Sequence, residues 1–402
     1  MPRPILRSPM LAGDRPAAHP PAFAFESGSD AARPSELLWP SDVTRLSVPS
    51  AETRVHCTDT SSFLPDAAPD PDDLFRSGSG SGSRLARGMR LGRYRLLRKV
   101  GKGAQGDVWK AEPLDGECST PVALKILNAA SAHVASRRSQ FRHEAERGAR
   151  LGGPALLRVL DFGEARGLPF LVMPFVGGTS LASLIRARRL RREGEPVHLE
   201  HPLLIADDRE YLAGALRIVA SAARALGRLH AMRIVHRDVK PGNILVDEGG
   251  KGVYLCDLGL GRDLDVATPE QMRDGAGTPL YMAPERLMRA ESDERLCDIY
   301  SMGVTLYEIV TLDRPYHPPE GLSPMLFNRF LLGCSPIPPS RPFPGLPAAV
   351  EGVILKAMAR NPAERYPSAE HLVAAIDGLI GHPAEGLPAP HIRVGRGRAA
   401  LR

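Results

Sequence analysis

The chain has 402 residues, 43% hydrophobic and 24% charged, with a formal net charge of +6. This suits a globular protein with one large or two modest cores, and the mild, dispersed positive charge argues against a nucleic-acid partner. No apolar run is long enough to span a bilayer: the most apolar helical stretch, Tyr211 to Met232, is interrupted by Arg217, Arg224 and Arg228.

Arg3 and Arg7 open the chain, but no apolar core or cleavage site of a signal peptide follows. Residues 1–90 are dominated by Pro, Ala, Ser and Asp and lack hydrophobic periodicity, with Pro69-Asp70-Pro71-Asp72 and the run Ser77 to Ser83 as the clearest pieces. Such a segment cannot bury enough apolar surface to offset its ordering entropy, which predicts disorder ending in a flexible linker. The apolar island Leu37-Leu38-Trp39-Pro40 fits two readings, a docking peptide for a partner or for self-association, or an incidental patch.

Order is expected from residue 91, with a strand at Tyr94 to Val100 running into Gly101-Lys102-Gly103-Ala104-Gln105-Gly106-Asp107-Val108. This G-x-G-x-x-G-x-V turn lets backbone N–H groups approach an anion closely. The same glycines can open a dinucleotide-binding unit, but a helix should then follow directly, and here Val108 to Ala111 continues as strand. The next strand, Pro121 to Leu127, holds Ala123 and Lys125. A Lys in so apolar a strand requires an anionic partner. The following helix, Ser136 to Leu151, offers Glu144 and Glu146.

Strands are expected at Leu157 to Phe162 and Pro169 to Met173, then a connection Pro174 to Gly178 and a basic helix Leu181 to Arg192. The stretch Glu193 to Asp208, rich in Pro and charge, reads as a surface insertion, with an inert loop as its default role. Asp207 or Asp208 should cap a helix whose stripe is Leu212, Leu216, Val219, Ala223, Leu226 and His230. Beyond the strand Ile234-Val235 come His236-Arg237-Asp238-Val239-Lys240-Pro241-Gly242-Asn243, the strand Ile244 to Val246, and Val253 to Cys256 leading to Asp257-Leu258-Gly259. Further on stand Gly277-Thr278-Pro279-Leu280-Tyr281-Met282-Ala283-Pro284-Glu285, a helix around Asp298 to Gly303, a short helix Met325 to Leu332, and closing helices Val350 to Arg360 and Ser368 to Ile380. The tail 382–402 is basic and reads as a solvated end. The cysteines Cys57, Cys118, Cys256, Cys297 and Cys334 are odd in number and lack C-x-x-C spacing, which predicts reduced thiols, a cytoplasmic location and no zinc site.

In this order and wording, the glycine-rich turn, V-A-L-K, H-R-D-x-K-x-x-N, D-L-G and A-P-E resemble the signature set of the protein kinase family, over roughly Tyr94 to Gly381. Lys240, two residues after Asp238, resembles the serine/threonine branch, and the Arg-rich composition and G-T-P-x-Y-x-A-P-E wording resemble bacterial members of eukaryotic type. The resemblance implies an α+β bilobal fold with a β-rich N-lobe (91–173), a hinge (174–178) and a mainly α-helical C-lobe (179–381). It implies ATP and Mg²⁺ as the nucleotide and metal, and Ser/Thr hydroxyls of proteins as acceptors.

Residue by residue, Asp238 would take the proton of the attacking hydroxyl and Lys240 would steady the moving phosphoryl group. Asn243 and Asp257 would hold magnesium. Lys125 would lie on the nucleotide phosphates, paired with Glu144 (Glu146 in reserve), and Thr278 would bond Asp238 and Lys240. Gly101, Lys102, Gly103 and Gly106 would cover the phosphates. Val108, Ala123, Met173, Val176 and Leu245 would enclose the adenine. Asp298 would accept backbone N–H groups near His236, and Arg365 would pair with Glu285.

Three departures stand out. Pro174 replaces an acidic hinge residue and removes an N–H donor. Leu258 replaces the usual Phe. Gly148 sits where the family stacks a larger apolar side chain, and lowers helix propensity by about 1 kcal/mol relative to Ala. Thr268 is the only hydroxyl between Gly259 and Gly277. It is either a phosphosite whose dianion would pair with Arg237 or an unmodified Thr-Pro turn residue. A pseudokinase scaffold would normally lose Lys125, Asp238 or Asp257, and a small-molecule phosphotransferase would lack the A-P-E segment; this chain retains all of these.

Overall fold

The computed structural model describes residues 85–103, 106–114 and 120–381. The expectations for residues 1–84 and for the tail lie outside the described residues, as do Ala104 and Gln105 of the glycine-rich turn. Alternating burial builds a six-stranded antiparallel sheet from β1 (Arg90–Leu91), β2 (Tyr94–Lys102), β3 (Gly106–Pro113), β4 (Val122–Leu127), β5 (Asp161–Ala165) and β6 (Leu168–Pro174). Its spatial order is β1-β2-β3-β4-β6-β5. The chain leaves it after β4 for α1 (Ala129–Ala132) and α2 (Ala135–Arg150), whose Phe141 and Ala145 pack on a core with Leu96, Leu124, Ile126 and Phe170.

Two expectations about this lobe change. The packing extends to before residue 91: Leu91 is fully buried, Leu85 and Met89 pack on the core, and Leu96 donates its N–H to the Met89 carbonyl. The strand expected at Leu157 to Phe162 starts only at Asp161. Its first residues bond elsewhere, Leu157 N–H to the Leu255 carbonyl and Val159 N–H to the Gly148 carbonyl, so Leu157 and Val159 are buried without pairing as a strand. Gly148 thereby acquires a reason, because a Cβ there would overlap the Val159 side chain. The space beside Gly148 is filled by Val159.

The second lobe is mainly helical. The chain enters through β7 (Gly178–Ser180), α3 (Leu181–Arg192), α4 (Pro202–Ile205) and α5 (Asp208–Ala231). Asp207 caps α5 by accepting from Glu210 N–H, and its stripe from Leu212 to Leu226 is buried. There follow β8 (Ile234–Val235), β9 (Ile244–Asp247), β10 (Val253–Leu255), β11 (Arg262–Asp263), α6 (Pro269–Met272), α7 (Pro284–Leu287), α8 (Glu294–Thr311), α9 (Pro324–Gly333), α10 (Ala348–Ala357) and α11 (Ala369–Gly381). Strands β10-β9-β7 and β11-β8 form two small antiparallel sheets under the cleft. Helix α8 is buried all round and lies at the centre of this core, with residues from Cys297 to Thr311 buried, polar Asp298, Ser301, Thr305 and Glu308 among them.

The stretch 193–208 divides: residues 193–200 form a mostly exposed loop, as expected of a surface insertion, whereas Pro202–Ile205 make a short helix that packs on the lobe. Leu204 is 1% exposed, Leu203 and Ala206 pack on the core, and buried Arg188 donates to the Leu204 carbonyl at 2.9 Å. A Cβ on Gly214 of α5 would collide with Leu203, so the helix is cut away to receive the segment. Among the described residues no helix is long and apolar enough to cross a membrane.

Candidate active site

The loop between β8 and β9 is held from below by α8. Asp298, fully buried, accepts the backbone N–H groups of His236 and Arg237, both at 2.8 Å, and faces His230 Nε2 at 3.0 Å. His230, expected in the apolar stripe of α5, is thus a polar partner. Arg237 is held at φ 68°, a left-handed conformation that a side chain disfavours and that surrounding bonds must maintain.

That turn delivers Asp238 into a closed cluster. Its Oδ2 accepts from Lys240 Nζ at 2.6 Å and Asn243 Nδ2 at 3.1 Å, and its Oδ1 accepts from the Thr278 hydroxyl at 2.9 Å. Lys240 Nζ also donates to Thr278 Oγ1 at 2.8 Å, so four residues expected together are together. Asn243 donates through Nδ2 to the Asp238 carbonyl at 2.8 Å as well, which leaves its amide oxygen for a cation.

A second cluster bridges the lobes. Lys125 Nζ lies 2.6 Å from Glu144 Oε1 and 2.9 Å from Asp257 Oδ1. Of the two acids considered on α2, Glu144 is therefore the partner; Glu146 is on the outer face beside His143 at 3.0 Å. Burial by itself would lower the Lys125 ammonium, but the two carboxylates outweigh it and hold it above its usual range. Burial would likewise raise Asp257, but Lys125 and the Gly259 N–H outweigh it and bring the carboxyl down to about 2. Glu144 moves the other way, raised by burial and by Asp257 against the pull of Lys125. Cys256, beside this cluster, has its thiol pushed up to about 12 by burial and the Asp257 charge, so it is no nucleophile.

The proposed nucleotide side is built mainly from the sheet. Register sets Val108 opposite Lys125 and Ala123 opposite Met173. On β9 Ile244 and Val246 are buried while Leu245 between them is half-buried on the other face. Val176 is half-buried, and the Gly177 carbonyl and Glu248 N–H tie its neighbours to β9. In the glycine-rich turn Gly103 N–H reaches the Gly106 carbonyl at 2.8 Å, with Gly101 and Lys102 paired to Val108 and Asp107. Gly106 has a further reason to be glycine, since a Cβ there would run into the Ile126 carbonyl of β4.

The segment from Asp257 to Glu285 is pinned at both ends. Gln140 and Arg147 of α2 donate to the Gly259 and Leu258 carbonyls, and Arg365 forks onto Glu285 at 2.6 and 2.8 Å, as expected for that pair. Within it, Thr268 does not approach Arg237 as an acceptor. Its hydroxyl caps α6 by accepting from Gln271 N–H at 3.3 Å, and the Arg237 side chain already meets Glu294 and Asp274. Sequence reasoning passed over Asp274, Arg262, Arg286 and Glu294; the one available signal was an acid three residues ahead of Gly277.

Among the described residues no three His, Cys, Asp or Glu side chains converge as a metal site. Asp257 and Asn243 nevertheless fit Mg²⁺, which prefers one or two hard oxygen donors from protein and completes its shell with phosphate and water.

A model of the family described as "Protein kinase domain" matches residues 94–374. The serine/threonine-protein kinase PknB of Mycobacterium tuberculosis is 33% identical over 315 residues, 77% of this chain and 46% of the relative. PknE of Mycobacterium bovis is 34% identical over 293 residues, 73% of this chain and 47% of the relative. The chain thus spans about half the length of these relatives. The crystal structure of the M. tuberculosis PknI kinase domain superposes with a TM-score of 0.53 at 26% identity, covering 74% of this chain and 100% of that one.

Proposed function

This chain belongs to the protein kinase family, among its bacterial serine/threonine members of eukaryotic type, and from that premise we propose that it transfers the γ-phosphoryl group of ATP to Ser and Thr hydroxyls of proteins, itself included. The observation that carries this reading is the Asp238–Lys240–Thr278–Asn243 cluster, complete and facing a Lys125 paired with both Glu144 and Asp257.

Asp238 orients the acceptor hydroxyl and takes its proton as the new P–O bond forms and ADP departs with the bridging oxygen. Lys240 balances charge on the moving group, and Thr278 fixes both side chains in register. Lys125 binds the phosphates of the nucleotide. The backbone of Gly101, Lys102, Gly103 and Gly106 covers them, and Val108, Ala123, Met173, Val176 and Leu245 enclose the base. Asp257 and Asn243 would hold Mg²⁺, which would supply neutralisation of charge on the phosphates. Positioning and charge do most of the work, as in a class with kcat of about 1–100 s⁻¹.

Free Cys256, Cys297 and Cys334 suit a reducing, cytoplasmic setting. The region before residue 85 is the place we assign to a partner or to self-association.

The test is transfer of label from γ-labelled ATP with Mg²⁺ to the protein itself and to dephosphorylated casein. Asp238→Asn should lower kcat by about 10³-fold or more while nucleotide binding persists. Equal labelling by the variant, or label on Tyr alone, would overturn the reading.

A further inference from the structure

The Arg237 guanidinium is wholly buried beside Asp238, and each of its three nitrogens is engaged. Nε meets Glu294 Oε2 at 3.1 Å, Nη1 the Gln271 carbonyl at 3.0 Å, and Nη2 both the Met272 carbonyl at 2.7 Å and Asp274 Oδ1 at 2.9 Å. The other oxygen of Asp274 accepts from Arg262 Nη2 at 2.9 Å, and Oδ1 also takes Ala276 N–H at 3.0 Å. One carboxylate thus joins two guanidinium groups and a backbone amide. Arg262 in turn bonds the Leu260 and Gly261 carbonyls, so the same contact fixes the chain just after Asp257. Nearby, Arg286 donates to the Arg237 and Ala276 carbonyls and lies 3.3 Å from Glu294. Arg237, Arg262 and Arg286 thus share the carboxylates of Asp274 and Glu294 through their side chains, and removing Asp274 would leave Glu294 alone for that role.

The geometry of the chain sharpens this. Asp274 grips Arg237 and Thr278 grips Asp238, so two anchors four residues apart in the segment are tied to two adjacent residues of the catalytic loop. Between Gly259 and Gly277 the only side-chain hydroxyl is Thr268, and it is committed to the capping box of α6. Nothing in this stretch offers a second phosphorylatable anchor at Arg237, and the anion that the two arginines require is already covalently present.

We propose that Asp274 is a positioning residue that holds the segment 257–285 in its transfer-competent arrangement through Arg237 and Arg262, so that the enzyme is active without phosphorylation of that segment. The inference rests on the kinase reading above, and its test separates the two. Full-length protein, freed of phosphate by a broad-specificity phosphatase and checked by intact mass, should phosphorylate casein at its full initial rate without a lag. Asp274→Asn should lower kcat on the order of 10- to 100-fold with KM for ATP changed less than about 3-fold, because the nucleotide contacts lie elsewhere. Asp274→Glu, which keeps the charge, should recover most of the loss. A thermal melt confirms that both variants are folded.

Amide hydrogen exchange over residues 264–282 gives a reading independent of turnover, with protection in phosphate-free wild type that Asp274→Asn removes. A wild type that stays silent until it autophosphorylates, or an Asn variant with wild-type kcat, overturns the inference. Were no transfer seen in any state, the kinase reading would fall, and exchange would still decide: protection indifferent to residue 274 sinks the positioning role.

Discussion

At the scale of single residues, the site is organised by carboxylates that each hold a cation or a set of N–H groups in place. Asp298 is the clearest. Burial would raise its carboxyl, but the bonds from His230 and from the His236 N–H, with the nearby imidazole charges, outweigh this and hold it below the ordinary 3.8. A folded-state value below the unfolded one means that its stabilisation is present above pH 3.8 and fades as pH falls through the folded value. Asp298→Asn should therefore cost about 2–4 kcal/mol at pH 7, a gap that narrows below pH 3.8; urea titrations of both proteins at pH 7 and pH 3 would show it. An equal gap at both pH values would mean that the lost acceptor geometry, and not the charge, is what matters.

At the scale of elements, α2 is held close to the core by the absence of a side chain. Gly148→Ala gains about 1 kcal/mol of helix propensity but forces Val159 away, and the overlap should win, lowering stability by about 1–3 kcal/mol in thermal or denaturant unfolding. The long elements were legible because their patterns are long: α5 and the strands Tyr94 to Lys102 and Val122 to Leu127 fall where periodicity and capping put them. The grouping of the candidate site was legible too, since Asp238, Lys240, Asn243, Thr278, Lys125, Glu144 and Asp257 stand in motifs that resemble one family's, and the structure brings their side chains into two clusters. What escaped were the pieces fixed by tertiary contact. Two-residue β1 and β11 and four-residue α4 and α6 are too short to carry a period. Leu157 to Leu160 is apolar enough for a strand, yet spends its backbone bonds on Gly148, Leu255 and Val172. Asp274 escaped because one acid in a polar loop looks like any other until its two arginines are in place.

At the scale of the molecule, a smaller β core and a larger helical core meet at Lys125, Glu144 and Asp257, so the active arrangement is also an inter-lobe contact. The boundary of the first core is testable. A chain beginning at Leu85 should melt with the full-length protein, whereas one beginning at Tyr94 loses Leu85, Met89 and fully buried Leu91 and should fall by about 2–4 kcal/mol, several degrees in Tm by calorimetry. The Glu285–Arg365 fork has a different kind of consequence. It joins residues 80 apart, and Arg365 is contributed after nearly every other element. During synthesis the first lobe and the catalytic loop leave the ribosome and fold while Glu285 still lacks its cation. The C-terminal end of the segment 257–285 is latched only when Arg365 emerges, so a nascent chain holds every residue of its β-rich lobe long before that segment can settle on the helical one.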